Sequence, residues 1–236
     1  MAAGGERWVS NGRYRELFAQ LLGQEPPEIL DCADETVSRF LSTREILSSK
    51  YSSALLFSGL NKARAASTLL CGGAVTETTP LLRASLECLQ YSVLIHHDLQ
   101  AETNYRLRHQ SEDARKYVRN VFPRSAKKLI CRLDAKLWEE WQKLYDIFID
   151  FGAHPNIASV DPMISFEQVP EGRILNFTQL SNGSERFAFG ALAVRLYVVF
   201  GRFFTIFWPF EYENEGMGTK LALIESAARD LFRKAL

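Results

Sequence analysis

Ionisable side chains recur at helical spacing in two otherwise apolar segments of this 236-residue chain. Arg83 and Glu87 are four residues apart, and so are Asp146 and Asp150, with His154 four residues further on. Residues four apart lie on the same face of an α-helix. A buried charge without a partner is costly in free energy, so each of these charges needs one. We therefore expect the two helices to face each other, with their charged side chains in contact.

Three kinds of chemistry are open to this set of side chains. We favour a buried polar network that fixes the register of the helices. A binding or catalytic pocket is the second interpretation, in which Glu87 or Asp150 is a general base and His154 carries the proton. The third is a metal site formed by Glu87, Asp150 and His154, and it ranks last because the paired Glu-x-x-His motif of di-iron bundles is absent. The sequence thus predicts no metal and no cofactor.

The candidate ligand-binding residues come from these two segments and from one later apolar segment. Within the set, the catalytic candidates are Glu87, Asp150 and His154. The sequence contains no Gly-x-Gly-x-x-Gly, P-loop, His-Glu-x-x-His or Gly-x-Ser-x-Gly motif. The full set is Arg83, Glu87, Tyr145, Asp146, Asp150, His154, Asn156 and Arg195.

Start and stop signals divide the chain into helices with short connections. Pro27 begins a helix, Gly73 follows the end of the long segment from Arg44, and Thr79 with Pro80 is an N-cap and first-turn signal. A further helix is predicted over 102–122. Asp134 caps the helix that carries Tyr145. These signals predict an all-α protein, a multi-helix up-and-down bundle that forms a single domain over residues 1–236.

Two segments depart from this simple pattern. Residues 164–169 and 173–178 are short and strand-like around a turn, which predicts a small β-hairpin inserted near 164–179. The hairpin would pack on its own bundle, or serve as a lid or a dimerisation arm. The strongly apolar segment 187–208 contains Arg195 and Arg202, which would be costly at bilayer depth. It is therefore expected to be a buried central helix whose arginines meet carboxylates or solvent, and no membrane partner is expected.

The charge and cysteine content of the chain indicate which partners and which cellular location to expect. The chain has 28 basic and 28 acidic residues, so its overall field does not attract nucleic acid. The basic face of segment 102–122 is the candidate nucleic-acid patch, although a solvated helix explains it better. The four cysteines form no CxxC pair and are expected to be reduced and buried. Residues 1–15 lack the apolar run of a secretory signal, which predicts a cytoplasmic location.

The two polar segments also carry a resemblance. Leu82 to Glu87 and Tyr145 to Asn156 resemble paired helix signatures of an uncharacterised group of bacterial helical-bundle proteins, which is loosely similar to the HEPN superfamily. The resemblance covers about residues 80–160 and implies an all-helical bundle with a polar site between the Arg83 helix and the His154 helix end. HEPN ribonucleases have an Arg four to six residues before a His, and Asp150 stands in that region here. This departure weighs against metal-independent RNA cleavage.

Two functions from different classes follow. We favour a non-catalytic, homodimeric protein that binds a small ligand or a protein partner near Glu87 and His154. The alternative is a HEPN-like hydrolase that acts on RNA or a nucleotide.

Overall fold

Helices form most of the chain in the computed structural model, which describes residues 27–45, 47, 49–153, 164–169, 172–177 and 184–235. The predicted all-α, multi-helix fold is confirmed. One π-helical turn, Ile149–Ala153, directly continues the seventh helix. The helices are α1 (Glu28–Ser42), α2 (Lys50–Cys71), α3 (Val75–His97), α4 (Leu99–Leu107), α5 (Glu112–Asn120), α6 (Phe122–Leu133), α7 (Ala135–Phe148), α8 (Ser184–Arg202), α9 (Phe204–Phe207), α10 (Pro209–Asn214) and α11 (Met217–Ala235).

Two six-residue strands lie between the π-helical turn and α8. They are β1 (Ile164–Val169) and β2 (Gly172–Phe177), and they pair antiparallel with Ile164 opposite Phe177. Residues 170, 171, 178 and 179 of the predicted insertion lie outside the described residues. A role for segment 164–179 as a lid or a dimerisation arm stays a prediction.

Close contacts at seven-residue spacing hold α2 against α3. The Ser52 hydroxyl donates to the Ser92 carbonyl at 2.8 Å, and the Ser92 hydroxyl donates to the Ser52 carbonyl at 2.9 Å. Seven residues along each helix, the Ser85 hydroxyl donates to the Gly59 carbonyl at 2.8 Å. The residue numbers of the paired positions increase along α2 and decrease along α3, so the two helices are antiparallel. Small side chains and hydroxyls that satisfy backbone carbonyls let the two helices approach closely.

The turn between α2 and α3 is a Schellman motif. Gly73 has φ 92°, a conformation that favours glycine. Its N–H donates to the Leu70 carbonyl at 2.9 Å, and the N–H of Ala74 donates to the Leu69 carbonyl at 3.0 Å. The prediction that Gly73 follows the end of this helix is confirmed.

The start of α3 was predicted wrongly. The helix begins at Val75, one turn before the Thr79 and Pro80 signal, so Pro80 lies inside it. The Schellman turn delivers the chain into α3 at once, and the Thr78 hydroxyl donates to the Ala74 carbonyl at 2.6 Å. The missing N–H of Pro80 removes a single helical hydrogen bond near the N-terminus of a long helix, which tertiary packing outweighs.

The predicted helix over 102–122 is also different in the structure. It is divided into α4 and α5, with a break after Leu107. The Ser111 hydroxyl accepts a hydrogen bond from the Ala114 N–H at 3.3 Å and caps α5. A serine that satisfies a free N–H at a new N-terminus stabilises such a break.

The apolar helix α8 lies at the centre and contacts α1, α2, α3, α7 and α11. Within the described residues, Ala188–Phe207 is the segment long and apolar enough to cross a membrane, with mean hydropathy 1.5, and 61% of its apolar window is buried in the fold. A core helix passes the same test. The prediction that its arginines meet carboxylates is confirmed for Arg202, which pairs with Glu140 of α7 and, at 2.9 Å, with Glu225 of α11.

A nearly enclosed ion pair joins α1 to α2. The Arg64 guanidinium donates to both carboxylate oxygens of Asp34, at 2.7 and 3.1 Å, and to the Ser38 hydroxyl at 2.6 Å. The side chains of Asp34 and Arg64 are only 7% and 13% exposed. Paired hydrogen bonds of this kind offset the cost of removing both charges from water.

The four cysteines are free thiols, as expected. Cys88 is buried, whereas Cys71 and Cys131 are half-buried. The expectation of burial is wrong for Cys32, which lies on the exposed side of α1.

The close approach of α2 and α3 predicts opposite effects for the same substitution at two helical glycines. A Cβ at Gly59 would lie 3.2 Å from Cys88 Cβ, from a ring carbon of Phe200 and from the Ser85 carbonyl oxygen, whereas a Cβ at Gly190 would meet nothing within 4 Å. Crowding costs roughly 1–3 kcal/mol, and alanine gains about 1 kcal/mol over glycine in a helix. We expect Gly59→Ala to lower the free energy of unfolding in urea and Gly190→Ala to raise it. Equal effects of the two substitutions would show that the helices are not in close contact at Gly59.

Candidate functional site

Glu87 is the centre of a polar contact between α3 and α7. Its Oε1 atom accepts a hydrogen bond from Arg83 Nε at 2.9 Å and another from the Tyr145 hydroxyl at 3.0 Å. The Arg83 guanidinium carbon also lies 5.4 Å from the centre of the Tyr145 ring, within the range of a cation–π contact. The structure therefore brings together three of the predicted site residues, and the two helices face each other as predicted.

The Glu87 contact is open to solvent. The side chains of Arg83 and Glu87 are 29% and 33% exposed, and Tyr145 is half-buried. An exposed ion pair adds little to stability, about 0–1 kcal/mol. The arrangement places one positive and one negative group side by side at an accessible surface.

An aromatic stack positions Tyr145. The rings of Trp138 and Trp141 are 4.6 Å apart, and those of Trp141 and Tyr145 are also 4.6 Å apart, with both pairs stacked. Trp141 donates its indole N–H to the Leu86 carbonyl at 3.1 Å, which fixes α7 against α3 next to Glu87. Buried rings of this size limit the freedom of the tyrosine that extends the stack.

The electrostatics of the site keep Arg83 charged and Tyr145 protonated. Burial lowers the pKa of Arg83, but Glu87 and, to a smaller extent, Tyr145 together more than offset this, so the Arg83 pKa lies above its usual value. Burial and the Glu87 charge raise the pKa of Tyr145. Burial, with a smaller contribution from Glu87, raises the pKa of Tyr91, one helical turn beyond Glu87, to about 12.

The acidic residues predicted to follow Tyr145 do not form a regular stripe. Asp146 is exposed and accepts a hydrogen bond from Gln142 at 2.7 Å. The π-helical turn begins at Ile149 and has a wider spacing than an α-helix, so the four-residue repeat assumed for Asp150 does not continue through it. Asp150 is exposed, and the turn packs against α3.

Three other predicted site residues are not part of the described Glu87 contact. Arg195 lies half-buried in α8, and no described contact joins it to Glu87. His154 and Asn156 lie outside the described residues. Within the described part of the chain, no group of three His, Cys, Asp or Glu side chains could hold a metal ion. Because the predicted metal set includes His154, that alternative stays untested.

Trp141 helps to fix the site, although it is not among the residues predicted from the sequence. The available signal was its position, four residues before Tyr145. Its hydrogen bond to a backbone carbonyl on α3 depends on how the helices pack, and no sequence pattern encodes that distance.

Comparisons with protein-family models, curated proteins and solved structures found no match to this chain. The resemblance to HEPN-like helical bundles stays a prediction.

The raised pKa of Tyr91 predicts a loss of stability in alkali. A tyrosine that binds its proton more tightly in the folded state contributes stability below the unfolded pKa of about 10 and loses it as pH rises towards 12. We expect the free energy of unfolding in urea to fall over this range, and to fall less for Tyr91→Phe. The two proteins should be similar in stability at pH 7, because phenylalanine keeps the edge contact with Phe122. An equal alkaline loss in both would contradict a raised Tyr91 pKa.

Proposed function

We propose that this protein is a ligand- or partner-binding module whose polar site lies between α3 and the end of α7. Arg83, Glu87 and Tyr145 would make the central contacts, and the further candidate residues are Asp146, Asp150, His154, Asn156 and Arg195. The observation that carries the proposal is that Glu87 is held by two donors and yet keeps a third of its side chain exposed.

The charges of the site suggest the kind of group that it recognises. A carboxylate and a guanidinium lie side by side, so a ligand with a donor and an acceptor at similar separation matches both. An amino acid, or the backbone of a peptide segment, has this chemistry. Tyr145 adds a flat aromatic surface whose position is fixed by Trp141. A rigid site loses less conformational entropy on binding.

The hydrolase alternative depends on His154, which lies outside the described residues. Cleavage of RNA or a nucleotide would require His154 as an acid or base, with Glu87 or Asp150 as its partner. No contact of the described chain favours this chemistry over binding. The homodimer, the cytoplasmic location, the bacterial family and the hairpin 164–179 as part of the site also stay predictions.

The proposal predicts that Glu87 matters more for binding than for folding. We expect Glu87→Gln to change the melting temperature by no more than about 3 °C, because a partly exposed ion pair contributes about 0–1 kcal/mol. Single amino acids, short peptides, spermidine and mononucleotides would be tested for a rise in melting temperature. At least one amino acid or peptide should stabilise the wild type and fail to stabilise Glu87→Gln.

Glu139→Gln is the matched control, because Glu139 lies exposed on α7 and the substitution removes the same charge. It should respond to each compound as the wild type does. Loss of several degrees in Glu87→Gln without any ligand would identify the contact as structural and contradict the proposal. Cleavage of a short RNA by the wild type, abolished in His154→Ala, would favour the hydrolase.

A further inference from the structure

An open cavity of about 380 Å³ lies near the C-terminal end of α3. His97 follows Glu87 by ten residues, so the cavity is about 15 Å along the helix from the Glu87 contact. Its volume falls within the range of about 300–1,000 Å³ that is usual for small-molecule sites. The lining residues are Leu94, His97, Asp98, Ser125, Lys128, Leu129 and Arg132.

Two cations from one face of α6 dominate the charge of this cavity. Lys128 and Arg132 are four residues apart and both are exposed. Neither forms an ion pair with another described residue. Asp98 is the acid among the lining residues, and its Oδ1 accepts hydrogen bonds from the N–H groups of Gln100 and Ala101, at 2.8 and 3.0 Å. That carboxylate caps α4 and forms no ion pair with Lys128 or Arg132 in the described chain, so the lining combines two cations with one anion.

The donors around the cavity fit a phosphate group. The planar Arg132 guanidinium can donate two parallel hydrogen bonds, and the Lys128 ammonium adds a point charge. Ser125 contributes a hydroxyl, and His97 an imidazole. Leu94 and Leu129 also line the cavity, and both are almost fully buried in the core. We propose that this cavity binds a small phosphate-bearing molecule, with Arg132 and Lys128 holding the phosphate.

The charge of Arg132 acts on His97 at the wall of the cavity. Burial lowers the His97 pKa, and the positive charge of Arg132 lowers it further. A bound phosphate would oppose the effect of Arg132. His97 is thus a reporter at the cavity wall, and its imidazole resonances should shift when the site is filled.

The site is tested by titrating phenyl phosphate into the full chain, with ionic strength held constant by sodium chloride. Calorimetry should show saturable binding at one site, and phenol, which has the same ring without the phosphate, should not bind. Arg132→Gln should weaken binding at least about tenfold, because a charge-assisted hydrogen bond contributes about that much or more. Imidazole resonances of His97 should shift in the wild type during the same titration.

Lys136→Gln is the matched control, since Lys136 is an exposed cation on α7 and is absent from the cavity lining. It should bind phenyl phosphate within about twofold of the wild type. Glu87→Gln should also bind phenyl phosphate as the wild type does, because Glu87 is absent from the cavity lining and lies ten residues before His97 on α3. No saturable binding, equal weakening by Lys136→Gln and Arg132→Gln, or unchanged His97 resonances on saturation would each overturn the proposal.

Discussion

The close packing of α2 against α3 is the constraint on which the rest of the structure depends. Ser85 and Ser92 of α3 form this seam, and Glu87 follows Ser85 by two residues. Two residues correspond to about 200° of rotation around a helix axis. Once the hydroxyls and Gly59 fix one side of α3 against α2, the opposite side presents Arg83 and Glu87 to α7. The same helix therefore serves as a core element and as the base of the polar site.

Two ion pairs in this protein differ in their exposure to solvent, and the difference distinguishes a structural ion pair from an accessible one. Asp34 and Arg64 are almost enclosed, and their bonding groups satisfy one another. Glu87 is held by two donors but keeps contact with solvent. Breaking an enclosed ion pair is destabilising because one buried charge is left without a partner. In an exposed pair, a charged side chain can exchange its partner for a ligand at little cost in free energy. This difference is why we place binding at Glu87.

The sequence was sufficient to predict the helical class and the contact between the Arg83 helix and the Tyr145 helix. Four-residue spacing placed Arg83 beside Glu87 on one face, and apolar flanks required that face to meet another helix, as it does at Tyr145. Local signals also identified Gly73 and Asp134 as helix boundaries, because capping depends on residues close in the chain. Spacing could not reveal the π-helical turn at Ile149 or the early start of α3. Those features depend on how neighbouring helices pack, and packing overrides local propensity.

The central claim is that the Glu87 carboxylate joins α3 to α7 through the Tyr145 hydroxyl. A double-mutant cycle of Glu87→Ala and Tyr145→Phe, measured as the free energy of unfolding in urea at pH 7, tests it most directly. We expect a coupling energy of about 1 kcal/mol, since the hydrogen bond to a charged group is lost once in either single variant and not again in the double variant. Additive effects, within about 0.3 kcal/mol, would contradict the contact on which the proposed site is built.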